Sequence, residues 1–300
     1  MSRTGISVVI PAYNYADSLA RAIESVLPQL HPQDELLVID DGSTDGTPDV
    51  LETLHGLYPE RFRSIRKTNG GLASVRNMGI EVAANDWLIF LDADDEQDSD
   101  AMSYIREHLS ANPESRMVIG GHRSVDERGR ARAHAPRPLP ETAYDRVKGY
   151  LLDKTISISN GACVMHRSVF VSGNYPEQFR NAEDIPVFAQ VLAAFPISVV
   201  SHSLAVIHKH GDSLRHDLGF SIKGGVGLVE EVFRRLPPEL QSLKSQFYMQ
   251  RCLSLFRGAY LVGDYEAAKN FYRLALRSDW KTLLKTSYTR KALRVWLGRR

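Results

Sequence analysis

The sequence is poor in cysteine, in long apolar runs and in net charge, and each shortage excludes a class of protein. Two cysteines, Cys163 and Cys252, among 300 residues cannot form a framework of disulfide bridges, so a reducing cytoplasm is the expected setting. No apolar run approaches the ~20 residues that a membrane-spanning helix needs, and the N-terminus has no basic-then-apolar signal pattern. We therefore expect a cytoplasmic protein that contacts membranes only at their surface.

The charge is balanced overall but uneven along the chain. The formal net charge of +1 gives no general attraction to nucleic acid or to an anionic membrane, so electrostatic binding must be local. Residues 273–300 contain nine Lys or Arg and one acid, Asp279, with Trp280 and Trp296 among them. A basic face with Trp and Leu is typical of a helix at a membrane surface. The alternative is a solvated helix whose apolar residues pack on the protein.

Short apolar runs alternate with helical patterns in the first half of the chain. We predict strands at 6–10, 35–39, 61–66, 87–91, 161–166 and 197–207. Such alternation predicts an α/β fold with a mainly parallel sheet and helices on both faces. The basic stretch 122–140 contains prolines and has no periodicity, so it is predicted to be a mobile loop or an excursion. From about residue 221 the pattern is helical.

Acidic residues follow two of the predicted strands. Ligands of such sheets bind outside the carboxyl ends of the strands, so Pro11–Asn14, Asp40–Asp41 and Asp92–Asp95 should share one edge. The carboxylates of Asp92 and Asp94, completed by diphosphate oxygens, are a usual way to hold Mg²⁺ or Mn²⁺. A solvated acidic turn is the alternative. The apolar strand before the pair, and the acids after the second strand, favour a site.

Two other metal sites fit the sequence less well. Residues 41–52 imitate a calcium-binding loop, but a strand precedes them rather than a helix. We interpret Asp41 instead as an acceptor for a base N–H or a ribose hydroxyl. The histidines of the later strand region do not have zinc-finger spacing. They are His202, His208, His210 and His216.

Five segments together resemble glycosyltransferase family 2, whose members have the GT-A fold. In the family's order they are VVIPAYN (8–14), VIDDGSTDGT (38–47), NGGLASVRNMGI (69–80), FLDADD (90–95) and NAEDIPVF (181–188). Each segment alone is a weak signal, but the set is specific. The resemblance implies a Rossmann-like GT-A catalytic domain over 1–220, followed by a helical C-terminal region with a basic tail over 221–300. It also implies a nucleotide-sugar donor, a divalent metal and inversion at the anomeric carbon.

The resemblance implies roles for individual residues at the nucleotide. Pro11, Tyr13 and Asn14 match positions that contact uracil or the sheet edge around it. Asp41 matches the acid that reads the nucleobase, and Arg76 matches a basic residue near the nucleotide.

The resemblance also implies the metal ligands. Asp92 matches the acid near the ribose or donor sugar, and Asp94 matches the direct metal ligand. A third protein ligand is expected after the last sheet strand, with His210 the first choice and His208 the second.

The catalytic base is implied at Asp184, with Glu183 beside it for hydroxyls of acceptor or donor. The alternative is that these two acids only stabilise the first turn of a helix, where negative charge is favoured. The catalytic role and the helix-stabilising role can hold at once. We therefore predict a metal-dependent inverting transferase that moves sugar from a UDP-sugar to a hydroxyl of a glycan or lipid-linked glycan. The resemblance also implies that the product belongs to cell-envelope polysaccharide or lipopolysaccharide, and that the protein works in the cytoplasm or at the inner face of the membrane.

Three other classes compete with this prediction. A nucleotidyltransferase would need a glycine-rich, arginine-bearing N-terminal loop, and IPAYNYADS (10–18) stands there instead. A non-catalytic nucleotide-sugar-binding module is disfavoured because both DAD and AED are present. A nicotinamide dehydrogenase is excluded because no G-x-G-x-x-G follows the first strand.

Overall fold

The computed structural model describes residues 4–209, 219, 222 and 224–297. Contacts between Cα atoms divide the chain into two compact units. The first comprises Met1–Pro140, Ile156–Glu177 and Ala194–His210, and the second comprises Glu141–Thr155, Gln178–Ala193 and Gly211–Arg300. The predicted boundary at residue 220 separates a catalytic domain from a helical region by function. The two compact units are a different kind of division, so the predicted boundary stays a prediction.

The first unit is built on a sheet of nine strands within the described residues. In chain order they are β1 (Ile6–Ala12), β2 (Glu35–Asp40), β3 (Arg63–Arg66), β4 (Trp87–Phe90), β5 (Glu96–Gln97), β6 (Met117–Val125), β7 (Ala131–His134), β8 (Cys163–His166) and β9 (Ile197–His208). Across the sheet their order is β3-β2-β1-β4-β8-β6-β9-β5, and β7 pairs with β6. The first four strands pair in parallel, as do β6 and β9, and the other pairs are antiparallel. The predicted α/β class is confirmed.

Four helices follow strands of this sheet: α1 (Leu19–Val26), α2 (Thr47–Leu57), α3 (Leu72–Val82) and α4 (Ala101–Ala111). All seven residues of β1 are buried, which explains why the strand reads as a continuous apolar run. In α3, Gly79 lies against β1, where an added Cβ would come within 2.8 Å of Val9 Cγ1. Close packing of this helix fixes the position of the residues that precede it.

The stretch 122–140 is not wholly a loop, because residues 122–125 pair with residues 131–134, so only the loop alternative was wrong. β6 continues to Val125, the chain turns, and β7 returns beside it. Asp126 O accepts a hydrogen bond from Gly129 N at 2.8 Å, and Gly129 has φ +74°, which glycine adopts without strain. Backbone pairing between β6 and β7 forms this hairpin. Its residues show no sustained alternation between apolar and polar, so the sequence shows no strand pattern.

The second unit is helical, as predicted for the C-terminal region. Its helices are α5 (Ala143–Lys148), α6 (Asp184–Ala194), α7 (Gly227–Arg235), α8 (Lys244–Leu261), α9 (Tyr265–Ser278) and α10 (Thr286–Trp296). Phe256 of α8 packs on Tyr272 of α9, with ring centres 5.4 Å apart. Within the described ranges no helix has both the length and the apolar character that crossing a membrane requires.

Candidate functional site

The carboxyl ends of β2, β1 and β4 lie side by side, with β1 in the middle. Ala12 pairs with Asp40 near the end of β2, and Val9 pairs with Phe90 at the end of β4. The acidic segments that follow β2 and β4 therefore begin at the same edge of the sheet. The parallel pairing of β1 with both β2 and β4 imposes this meeting, although the segments are about fifty residues apart in sequence.

Pro11, Tyr13 and Asn14, at the end of β1 and just after it, differ in burial and in hydrogen bonding. Pro11 is buried, whereas the Tyr13 side chain is 45% exposed. Asn14 has φ 59°, a conformation that asparagine tolerates better than most residues. Its Oδ1 accepts a hydrogen bond from Thr44 N at 2.8 Å, and its own N–H donates to Ser43 Oγ at 2.9 Å. Asn14 thus joins the loops after β1 and β2, and Tyr13 presents the exposed ring.

Asp41 is buried and held on both carboxylate oxygens. Oδ1 accepts from Lys67 Nζ at 2.7 Å and from Gly70 N at 2.9 Å, and Oδ2 accepts from Gly71 N at 2.7 Å. Gly42, with φ +73°, brings this segment so close to the next loop that an added Cβ would lie 3.0 Å from Lys67 O. Asp41 therefore ties the loop after β2 to the turn that begins α3, where a helix N-terminus favours a negative charge.

Arg76 of α3 is paired with the acidic segment. Its side chain is 2% exposed, and Nη2 donates to Asp92 Oδ1 at 3.0 Å. The guanidinium lies 5.3 Å from the centre of the Tyr175 ring. A buried guanidinium needs such partners, because an unpaired buried charge is costly. Tyr175 was not predicted, since it is 99 residues from Arg76 and no local pattern marks it.

Tyr15 is a second residue that sequence reasoning missed. Burial raises the pKa of its phenol, and the carboxylates of Asp94, Asp92 and Asp95 raise it further. The phenol therefore keeps its proton and lies in the field of the acidic segment. Its position two residues after Tyr13 was the available signal, but the resemblance drew attention only to Tyr13.

The end of β9 is attached to the acidic segment. Asp95 is buried, and its Oδ1 accepts from His208 N at 2.9 Å. His208 Nε2 lies 2.6 Å from Glu96 Oε1. The second choice of histidine ligand is therefore engaged with a carboxylate. The first choice, His210, lies outside the described residues.

The acids at this edge suit a metal ion whose remaining coordination positions are filled by a bound ligand. Within the described ranges no group of three or more His, Cys, Asp or Glu side chains could hold a metal ion. Asp92 and Asp94 form a pair of half-buried carboxylates that are separated by one residue. Mg²⁺ and similar hard ions usually take one or two carboxylates together with substrate phosphates, so this pair fits such an ion. Asp45 accepts from Ala16 N and Thr47 N and so links the loops that follow β1 and β2.

Glu183 and Asp184 belong to the second unit. Glu183 is buried, and Asp184 is the half-buried first residue of α6. Ala182 before them has φ 67°, a conformation that L-residues rarely adopt. Such strained positions occur often at functional sites, where the surrounding structure holds them. The acidic helix start is thus present, and it is compatible with a catalytic role.

Comparisons with known proteins identify the family. The model of the family "Glycosyl transferase family 2" matches residues 7–172. TuaG of Bacillus subtilis, a glycosyltransferase assigned provisionally to teichuronic acid biosynthesis, is 38% identical over 104 residues, which are 32% of this chain and 38% of TuaG. The chain belongs to glycosyltransferase family 2. It spans well under half the length of the curated relatives it matches.

Two solved structures share the fold over nearly the whole chain. Staphylococcus aureus TarS 1–349 in complex with UDP-GlcNAc has a TM-score of 0.68 at 19% identity, covering 98% of this chain and 89% of that one. Mannosyltransferase PcManGT from Pyrobaculum calidifontis, in complex with GDP-Man and Mn²⁺, has a TM-score of 0.58 at 16% identity, covering 98% and 86%. The chain therefore has the GT-A fold that the sequence resemblance implied.

Proposed function

We propose that the chain is a metal-dependent inverting glycosyltransferase, which moves a sugar from a UDP-sugar to a hydroxyl of a cell-envelope glycan. The observation that carries the proposal is the meeting of Asp41, the Arg76–Asp92 pair and Asp94 at one edge of the parallel sheet. Membership of family 2 supports the reaction class. The relative assigned to teichuronic acid biosynthesis supports an envelope polysaccharide as the acceptor.

In the proposed site, Asp92 and Asp94 hold a divalent ion, Mn²⁺ or Mg²⁺. When bound, such an ion stabilises the negative charge that develops on a departing diphosphate. The buried guanidinium of Arg76 compensates the charge of Asp92 and fixes the orientation of its carboxylate. Tyr15 adds a protonated phenol beside the same carboxylates. The Mn²⁺ complex of the mannosyltransferase neighbour supports this assignment.

The hydrogen bonds of Asp41 favour uridine over guanosine in the donor. An ionised carboxylate accepts at about four positions, and three of these are already used by Lys67, Gly70 and Gly71. Uracil has one N–H on its pairing edge and needs one acceptor. Guanine presents two adjacent donors there and needs two. The TarS neighbour is in complex with UDP-GlcNAc and the PcManGT neighbour with GDP-Man, so the preference rests on Asp41 rather than on the fold.

On the acceptor side, Asp184 takes the proton from the attacking hydroxyl and Glu183 contacts hydroxyls of the acceptor or donor. An unperturbed aspartate has a pKa of about 3.9 and is ionised at neutral pH, as a general base must be. Inversion requires the acceptor to attack from the side opposite the leaving diphosphate, which is where a general base takes the proton.

The test of metal and donor is calorimetry with UDP and GDP, in Mn²⁺ and in EDTA. We expect UDP to bind more tightly than GDP, and only in the presence of the metal. Asp94→Ala should abolish metal-dependent binding of UDP. Asp86→Ala is the control, because Asp86 is an exposed acid at the opposite end of β4. Full sugar transfer by the Asp94→Ala protein in EDTA would contradict the proposal.

We further propose a peripheral contact with an anionic membrane. Six large apolar side chains are exposed near the end of the chain: Trp280, Leu283, Leu284, Leu293, Trp296 and Leu297. Basic side chains lie exposed among them: Lys281, Lys285, Arg290 and Arg294. In the part of the chain that the structure describes, none of these four pairs with an acid. This tail surface combines unpaired positive charge with Trp and Leu, which matches an anionic lipid interface.

A further inference from the structure

The backbone of the Asp92–Asp94 segment is held at three successive carbonyl groups. Asp92 O accepts a hydrogen bond from Asp95 N at 3.0 Å. Ala93 O accepts from Ser18 Oγ at 2.9 Å, and Asp94 O accepts from Arg21 Nη2 at 2.6 Å. One donor is local, and the other two come from a region more than seventy residues away in sequence.

Both distant donors belong to the start of α1. Ser18 precedes the helix and Arg21 is its third residue, so they are three positions apart and share one face. A serine in this position usually bonds to the first turn of its own helix. The Ser18 side chain makes no such bond, and its hydroxyl donates to the acidic segment instead.

The helix that carries these donors is rigidly seated. Leu19, Ala22, Ile23 and Val26 form its apolar face and are buried in the core of the first unit. Arg21 also lies 3.4 Å from Glu96 Oε1, so a carboxylate steadies the guanidinium on its other side. Glu96 in turn contacts His208. Burial of α1 therefore fixes the backbone from which Ser18 and Arg21 reach the segment, while the Arg21 side chain itself is partly exposed.

We infer that Arg21, assisted by Ser18, is a positioning residue that orders the Asp92–Asp94 segment for a divalent ion. The inference rests on the proposed metal site. Without the two donors the segment would have to be ordered when the ion binds, and that entropy cost would weaken binding. Groups that orient metal ligands typically change metal affinity by about 10–100-fold when they are removed.

Simple electrostatics predicts the opposite result, which makes the inference easy to test. A guanidinium beside a cation site repels the cation, so its removal would tighten metal binding if charge were all that mattered. Ordering of the backbone predicts weaker binding. The sign of the change therefore separates a positioning role from a charge effect.

The experiment is titration of the full chain with Mn²⁺ in the presence of UDP, followed by electron paramagnetic resonance of the free ion. Arg21→Met keeps the length of the side chain and removes its donors, and we expect Mn²⁺ to bind about 10–100-fold more weakly. Arg21→Lys, which retains one cationic donor, should recover part of the affinity. Ser18→Ala should weaken Mn²⁺ binding in the same direction, and it serves as the second variant if Arg21→Met fails to fold.

Arg61→Met is the matched control. Arg61 Nη2 donates to Leu27 O at 2.8 Å, which is the same kind of bond in the same unit at a carbonyl outside the acidic segment. This variant should bind Mn²⁺ like the unmodified chain. Unchanged or tighter Mn²⁺ binding by folded Arg21→Met and Ser18→Ala would overturn the inference alone. Failure of the unmodified chain to bind Mn²⁺ with UDP would overturn the proposed metal site and the inference together.

Discussion

At the scale of single residues, the acids of the site are distinguished by what already holds them. Asp41 accepts three hydrogen bonds from its own chain, and Asp95 accepts the N–H of His208. Both are buried, and both connect loops. Asp92 and Asp94 are half-buried, which leaves part of each carboxylate accessible to solvent or ligand. Of these four aspartates, Asp41 and Asp95 connect loops, with Asp41 also assigned to the nucleobase, whereas Asp92 and Asp94 suit a metal.

Asp184→Asn tests the proposed base. The substitution keeps the size of the side chain and removes its ability to take a proton, so sugar transfer should fall by ~10²–10⁴-fold. Binding of UDP should not change, because the nucleotide is assigned to other residues. Transfer rates and UDP calorimetry give the two quantities. Asp153→Asn is the control, because Asp153 is an exposed acid of the same unit that forms an ion pair with Lys148. Near-normal transfer by Asp184→Asn would show that another residue is the base, and Glu183 would be the next candidate.

At the scale of elements, β6 and the turn before α4 are joined by a charged pair. Arg123 Nε and Nη2 donate to the two oxygens of Asp98 at 2.8 and 2.7 Å. Burial raises the pKa of the Asp98 carboxyl, but hydrogen bonds from Arg123, Ser203 and the backbone N–H of Ser99 outweigh burial and lower it. Asp98 therefore loses its proton more readily in the folded chain than in the unfolded one.

The lowered pKa predicts how stability depends on pH. A group with a depressed folded pKa stabilises the fold above its unfolded value of about 3.9, and this contribution is lost as pH falls through the folded value. Arg123→Met should lower the free energy of unfolding by ~1 kcal/mol at pH 7, since Arg123 is half-exposed. The difference should shrink as the pH is taken below about 3.9 in urea titrations. Arg130→Met, which breaks the exposed pair with Asp126 in the same hairpin, should have no measurable effect. A constant difference across pH would contradict the assignment.

At the scale of the whole molecule, the tail surface is the proposed site of contact with an anionic membrane. Deleting residues 279–300 is a poor test, because Thr282, Ala292 and Val295 are buried and Thr282 Oγ1 donates to Ala275 O of α9, so their loss would disturb α9. Substitution of the exposed basic residues preserves that packing. Each basic side chain near an anionic surface contributes ~1 kcal/mol to binding at low ionic strength.

Changing Lys281, Lys285, Arg290 and Arg294 to Gln should therefore reduce partitioning onto phosphatidylserine-containing vesicles by roughly two to three orders of magnitude. Hydrolysis of the donor in solution should be unaffected. The control carries the same loss of four charges elsewhere in the same unit, at Lys148, Lys154, Arg257 and Lys269. Sedimentation with vesicles measures both proteins. Equal loss of binding in the two proteins would indicate net charge rather than the tail surface, and unchanged binding in the first would favour a solvated helix.

The sequence by itself determined the strands that are buried on both faces and the segments that follow them. β1 and β2 were predicted at 6–10 and 35–39 and are observed at Ile6–Ala12 and Glu35–Asp40, because burial on both faces demands an uninterrupted apolar run. The same logic of parallel strands placed the acidic segments at one edge. The hairpin of β6 and β7 escaped prediction, since backbone pairing between polar residues leaves no periodic signal.

Only the tertiary structure decided which side chains surround the acids. Arg21, Tyr15 and Tyr175 come from a helix, a loop and a distant segment, and their meeting depends on helix rotation and turn geometry that no short pattern encodes. The same holds for His208, whose backbone N–H reaches Asp95 across 113 residues. Local residue patterns specify elements because they act over a few residues, whereas contacts between elements arise from how the whole core packs.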